Sequence, residues 1–201
     1  MIKKFLLICG ILSSVWYIII NVIVPIEYDG YNIITQTVSE LSAIHAPTRT
    51  LWIYLGIPYP LLFAAFGWGV LKSAAESRSL RLAGILIIVY AVVTSYWPPM
   101  QMRGNKMALT DILHIVWGSI TVVLMIIIMI SGALAFKKPF RPYTFFSIIL
   151  FIVFGVLVGI EAPNIASNQS TPLIGVWERI EIFIFILWIA IFAVYLLKKT
   201  K

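Results

Sequence analysis

The sequence is short of almost everything that builds a soluble enzyme. Its 201 residues hold one cysteine, two histidines and eight acids. A single cysteine, Cys9, excludes an intrachain disulfide and a cysteine-based zinc cluster. It follows Leu6, Leu7 and Ile8 in the first apolar run, without the small residues that precede a lipoprotein cysteine, and reads as a small buried apolar side chain. Only 11% of the residues are charged and 61% are hydrophobic, with a mean hydropathy of +1.01. Soluble domains are about half apolar and about a quarter charged. A soluble fold of this length cannot hide so much apolar surface, whereas a bilayer solvates it. The formal charge of +7 does not point to nucleic acid, because the basic residues sit in short clusters between apolar runs.

Six such runs are present, over about residues 5–25, 51–71, 82–97, 109–135, 143–162 and 175–197. A helix needs about 20 residues to cross a hydrocarbon core about 30 Å thick. The runs lack the alternation of barrel strands, so helices are the remaining way to satisfy the backbone in lipid. The chain is therefore predicted to be all-α: one integral membrane bundle of about six transmembrane helices over residues 1–201. The third run is short, and Pro98 and Pro99 mark its end. The first run follows Lys3 and Lys4 but has no small-x-small cleavage site before Pro25, and is expected to stay as a helix.

Lys and Arg set the expected orientation. With the N-terminus inside, the inner segments carry Lys3, Lys4, Lys72, Arg78, Arg81, Lys137, Lys138, Arg141, Lys198, Lys199 and Lys201; the outer side carries only Arg49, Arg103, Lys106 and Arg179. Eleven against four places both termini in the cytoplasm. The expected location is a cell membrane, and short loops with Ile- and Lys-rich usage favour a prokaryotic plasma membrane, where the Asn168-Gln-Ser170 sequon carries no meaning. The long connection, residues 26–50, is an outer loop, with a smaller one over 163–174. No internal repeat supports an inverted-repeat transporter. Gly155 and Gly159 form a GxxxG, and Gly10 with Ser14 a weaker small pair; both read as marks of close helix packing. The aromatic residues read as interface belts and packing.

The acids are as lopsided as the bases. Glu76 alone is in an inner loop, while Glu27, Asp29, Glu40, Asp111, Glu161, Glu178 and Glu181, with His45 and His114, lie at the outer side. Polar ligands or chemistry should therefore open to that face. Much of this has a structural explanation. Thr37-Val-Ser-Glu40 fits a capping box that starts a short helix, and Asp111 and Glu178 fall in first turns of helices, where the macrodipole stabilises acids. Three residues are different. Glu161 is one, since a helix C-terminus disfavours an anion and calls for a cation, a proton or a metal. Glu181 and His114 are the others: they lie one turn deeper than Glu178 and Asp111, where ionisable groups are costly and usually have partners. The i,i+3 pairs Asp111/His114 and Glu178/Glu181 each share a helix face. Arg103 and Arg179 are the expected counter-charges.

Three kinds of function fit this pattern. The preferred one is an outward-facing pocket for a lipid head group or small polar ligand, with Arg103 and Arg179 meeting an anionic group and Glu40, His114 and Glu178 ordering the pocket. A membrane-embedded lipid hydrolase would use His114 as general base or metal ligand, with Glu40 or Glu178 assisting. His45, Asp111 and His114 are the candidate metal ligands, but no HExxH or HxxxH occurs and no cofactor is implied. Ser39 or Ser42 with a histidine would make a serine hydrolase, without a nucleophile-elbow sequence. A small transporter or channel would need polar residues through the full depth, and the inner half is too apolar. The expected partners are membrane lipids and, through oligomerisation, a second copy of the chain.

The stretch Glu27-Tyr28-Asp29-Gly30, the core Gln36-Thr37-Val38-Ser39-Glu40-Leu41-Ser42 and the trio Ala46-Pro47-Thr48 resemble the first outer loop of the domain-of-unknown-function family numbered 998. His114 with Gly118, and Gly175 with Glu178-Arg179 and Trp188, extend the resemblance over nearly the whole chain. The family comprises prokaryotic multi-pass membrane proteins, so the resemblance implies the same fold and carries over Tyr28, Asp29, Ser39, Glu40, His114, Glu178 and Arg179 by position, with no role assigned. The chain departs from the family at Trp97-Pro98-Pro99-Met100, where members often have an acid.

Overall fold

The computed structural model describes residues 1–137 and 139–199. Lys138 and Lys201, two of the basic residues assigned to the inner side, lie outside them. The described residues are helices and loops, with no strand among them: α1 (Ile2–Ile26), a 3-10 turn (Ser39–Ser42), α2 (Arg49–Gly56), α3 (Pro58–Ser73), α4 (Arg78–Thr94), α5 (Leu109–Ala135), α6 (Phe140–Glu161), α7 (Pro163–Ala166) and α8 (Ile174–Lys199). Five spans are long and apolar enough to cross a membrane: 2–26, 49–73, 109–135, 140–166 and 174–199. The sixth, α4, has 17 residues and reaches about 26 Å at 1.5 Å per residue. The protein is a six-helix, multi-pass membrane bundle.

Proline explains where the observed helices depart from the apolar runs. The second run is α2 and α3 in sequence, broken around Pro58 and Pro60, neither of which has an N–H to donate. At this break Trp16 Nε1 donates to the Leu55 carbonyl at 2.7 Å, as neighbouring helices must do for freed backbone in lipid. The third run begins earlier than expected, at Arg78, because Ser77 caps Leu80 N, and it stops at Thr94, short of Pro98.

Contacts run from α1 to α3, α4, α5, α6, α8 and back to α1, so the six long helices form a closed ring. Neighbours are antiparallel. Gly69 near the end of α3 abuts Leu6 and Leu7 near the start of α1, and Ser14 Oγ donates to the Ile186 carbonyl of α8 at 2.7 Å. The start of α1 and the end of α8 therefore share one end, the terminus end; the connections 27–48, 95–108 and 162–173 share the other, the loop end. The Gly10/Ser14 pair is a packing contact as expected, since a side chain at Gly10 would enter the Phe66 ring.

The terminus half is solid. Trp188, Phe192, Phe66, Phe140 and Phe136 fill it, with Trp188 and Phe192 stacked at 4.9 Å. Gly132 leaves room for the Trp188 indole, whose Nε1 donates to Thr144 Oγ1 at 2.9 Å. Trp188→Ala is expected to destabilise the bundle by about 3–5 kcal/mol through the cavity it leaves, read as a lowered unfolding temperature in detergent; an unchanged transition would refute this account of the core. The loop half is different. Every buried residue of α5 lies at or beyond Thr121, and every buried residue of α6 at or before Phe151. These two helices pack near the terminus end and part toward the loop end.

Candidate functional site

The parting of α5 and α6 leaves a chamber of about 860 Å³ in the loop half, within the roughly 300–1,000 Å³ typical of ligand pockets. It follows α5 from Asp111 to Ile126, about 22 Å of helix at 1.5 Å per residue. The walls are mainly apolar. Tyr17, Tyr59, Tyr90 and Phe185 line one side, their rings in a chain of contacts of 5.0–5.5 Å that also runs through Phe63. Phe151, Met125 and Ile186 lie at the deep end, above the solid half. Ile115 and Ser119 of α5 and Ile152, Val156 and Gly159 of α6 line the chamber and are also exposed. The chamber thus opens sideways between α5 and α6, where lipid would lie.

The two glycines of the α6 GxxxG differ: Gly159 borders this space, while Gly155 lies against α8. Nothing lies within 4 Å of where a Cβ would stand on Gly159, and the same holds for Gly118 across the chamber. At Gly155 that position is 2.7 Å from Glu181 Oε1, so the glycine makes room for a carboxylate. The expectation of close packing holds at Gly155, which lies against Glu181 of α8, and is corrected at Gly159, where the small residue borders a void.

The roof is the 27–48 loop, held down by the start of α8. Arg179, only 7% exposed, donates through Nη1 to the carbonyls of Ile33, Gln36 and Gly175 at 3.0–3.1 Å and through Nη2 to the Tyr31 hydroxyl at 2.7 Å. Tyr31 in turn donates to the Thr37 carbonyl at 2.6 Å. Burial, first of all, raises the Tyr31 hydroxyl above its usual range and keeps it a donor. Gly175 N–H donates to the Ile34 carbonyl at 3.0 Å, and a side chain at Gly175 would strike the Ile33 and Gln36 carbonyls. Glu178 accepts from the Val38 N–H and, at 3.3 Å, from the Ser39 hydroxyl. The Gly175/Glu178/Arg179 triplet is thus a receptor for the backbone of one loop.

Among the described residues Arg179 therefore does not pair with a carboxylate, contrary to expectation; its partners are carbonyls and a phenol. Arg103 does pair. Its Nε and Nη2 meet Glu40 Oε1 and Oε2 at 3.0 and 3.1 Å, and it also donates to Thr171 Oγ1, Thr35 O and Gln169 O. Glu40, 4% exposed, closes the expected capping box: it accepts from Thr37 N at 2.8 Å while Glu40 N donates to Thr37 Oγ1 at 3.2 Å. Neither arginine lines the chamber, which leaves both poorly placed to meet an anionic head group there.

The other expected residues divide between chamber and periphery. Asp111 lines the chamber but is engaged, accepting from Ala108 N at 2.8 Å and Gln101 N at 2.6 Å. His114 also lines it; Nδ1 meets the Pro98 carbonyl at 2.7 Å, and Trp97 packs edge-on at 5.6 Å. With a carbonyl there, Nδ1 bears the proton in the neutral ring. Glu161 ends α6 and, in place of a cation, finds the Trp177 Nε1 at 3.2 Å and the Leu173 N–H at 3.3 Å. Tyr28 packs on Tyr31 at 5.5 Å, its hydroxyl raised by burial and then by the Glu40 charge. Asp29 is exposed outside the chamber, and so is His45, whose φ of 68° is left-handed. No three His, Cys, Asp or Glu side chains gather as for a metal among the described residues. The Ser39 hydroxyl is on Glu178 and that of Ser42 on the Ser39 carbonyl at 3.2 Å, so neither meets a histidine. The sequence marks Glu181 by its depth, one turn beyond Glu178, and by the i,i+3 spacing, without counting it as a site residue, and gives no sign that Gly118 and Gly159 are chamber walls.

Over residues 11–195 the chain matches a family described as "Protein of unknown function (DUF998)". No curated protein matches the chain, and no solved structure does.

Proposed function

The chain belongs to the DUF998 family, and from that premise we propose that it binds a membrane amphiphile in the chamber of its loop half, admitting it sideways between α5 and α6. The observation that carries this reading is the coexistence of a large, mostly apolar void with an opening at lipid depth. A void of that size is costly to keep empty in a packed protein, and its sideways mouth gives an acyl chain a continuous apolar path. The solid terminus half below Phe151 and Ile186 offers no comparable path onward, which favours holding a ligand over passing one across. The excess of Lys and Arg at the terminus end favours a cytoplasmic side for that end; in that orientation the chamber faces lipids of the outer leaflet.

Native mass spectrometry of the protein released from lipid nanodiscs tests this reading. The expected result is one retained lipid or lipid-like molecule per chain that survives the collisional energy stripping the annular lipid. A chain that sheds all bound mass together with that annulus would overturn it.

A further inference from the structure

Among the described residues, the chamber wall bears three carboxyl groups, Asp111, Glu178 and Glu181, and no lysine or arginine, in a protein whose formal charge is +7. Asp111 is taken up by Ala108 and Gln101, and Glu178 by Val38 and Ser39. Glu181 is not taken up. It is only 8% exposed, it lines the chamber, and no hydrogen-bond donor reaches its carboxyl group among the described residues. Gly155 gives up its side chain to make space for that group. Glu181 lies about 10 Å along α8 from Ile174, below the roof and within the apolar walls. An acid at such depth needs a partner, and the described residues supply none.

We propose that the partner is the ligand, a lipophilic primary amine whose ammonium group docks on Glu181. This deepens the chamber reading and rests on it. The ammonium is compact and carries three donors, enough to meet Glu181 and still reach the field of Glu178, which lies on the same helix face. The hydrocarbon chain then runs down toward Phe151 and Phe185 or out through the α5–α6 mouth. An anionic head group in the same place would face like charges without a counter-ion, in a medium that screens them little.

The test compares three probes of equal length, dodecylamine, dodecanol and dodecanoate, against the full chain in maltoside micelles, each competing with a fluorescent fatty probe held in the chamber. The amine is expected to bind about tenfold tighter than the alcohol, as a charge-assisted hydrogen bond gives, and the acid to bind weakest. Glu181→Gln should bring the amine to the level of the alcohol and leave the alcohol unchanged. Gly155→Ala, which displaces the carboxyl group while keeping it, should reduce the same preference if the Gln variant does not fold. Equal binding of amine and acid, or an amine preference that survives both substitutions, overturns the assignment of Glu181 and leaves the chamber standing. Failure of all three to compete overturns the chamber reading as well.

Discussion

Arg179→Met is expected to free the loop over residues 27–48 and to destabilise the protein by about 3–5 kcal/mol, since each buried acceptor left unsatisfied costs about 1–3 kcal/mol. One guanidinium serves three carbonyls and a phenol, and these acceptors come from the loop as well as from α8. Methionine fills part of the volume and satisfies none of them. Arg179→Lys should recover only part of the loss, because a single ammonium group cannot reproduce the planar fork. The measurement is the unfolding temperature in detergent together with protease cleavage between residues 31 and 48. A Met variant that melts and resists cleavage like the wild type would show that the roof is held by something else.

Gly118→Trp and Gly159→Trp are expected to leave folding intact and to reduce lipid retention by a factor on the order of ten or more, equivalent to about 1.4 kcal/mol or more of binding. Nothing stands within 4 Å of where either Cβ would be, so each indole has the chamber to enter. The contrast is Gly155→Trp, which runs into the Glu181 carboxyl group and should lower expression or stability instead. Native mass spectrometry reads the retained lipid and circular dichroism the fold. Full retention in both well-folded variants would mean that bound lipid sits elsewhere on the surface.

The fold was legible because its constraints are one-dimensional. Lipid demands about 20 apolar residues per crossing, and the run over 109–135 coincides with α5. Thr37 and Glu40 were legible for the same reason, since a capping box closes within four residues. The role of Arg179 was not. Its loop partners are main-chain carbonyls around 33 and 36, and every residue type has a carbonyl, so no pattern of side chains announces them. Gly159 was misread because a small residue permits either close packing or empty space, and only the course of α5 decides between them. The break around Pro58 was present in the sequence as two prolines, but a run of apolar residues passes over it without a signal.

The sideways mouth between α5 and α6 also determines how strength of binding should be expressed. A ligand that enters from the bilayer is never compared with water; its reference state is already dissolved in hydrocarbon, so burying its tail gains little over lipid. What remains to discriminate one molecule from the next is the polar group met inside and the fit of the walls. Occupancy will then follow the mole fraction of ligand among neighbouring lipids, not its aqueous concentration. Two membranes of different composition can load the same protein to very different extents at equal total ligand.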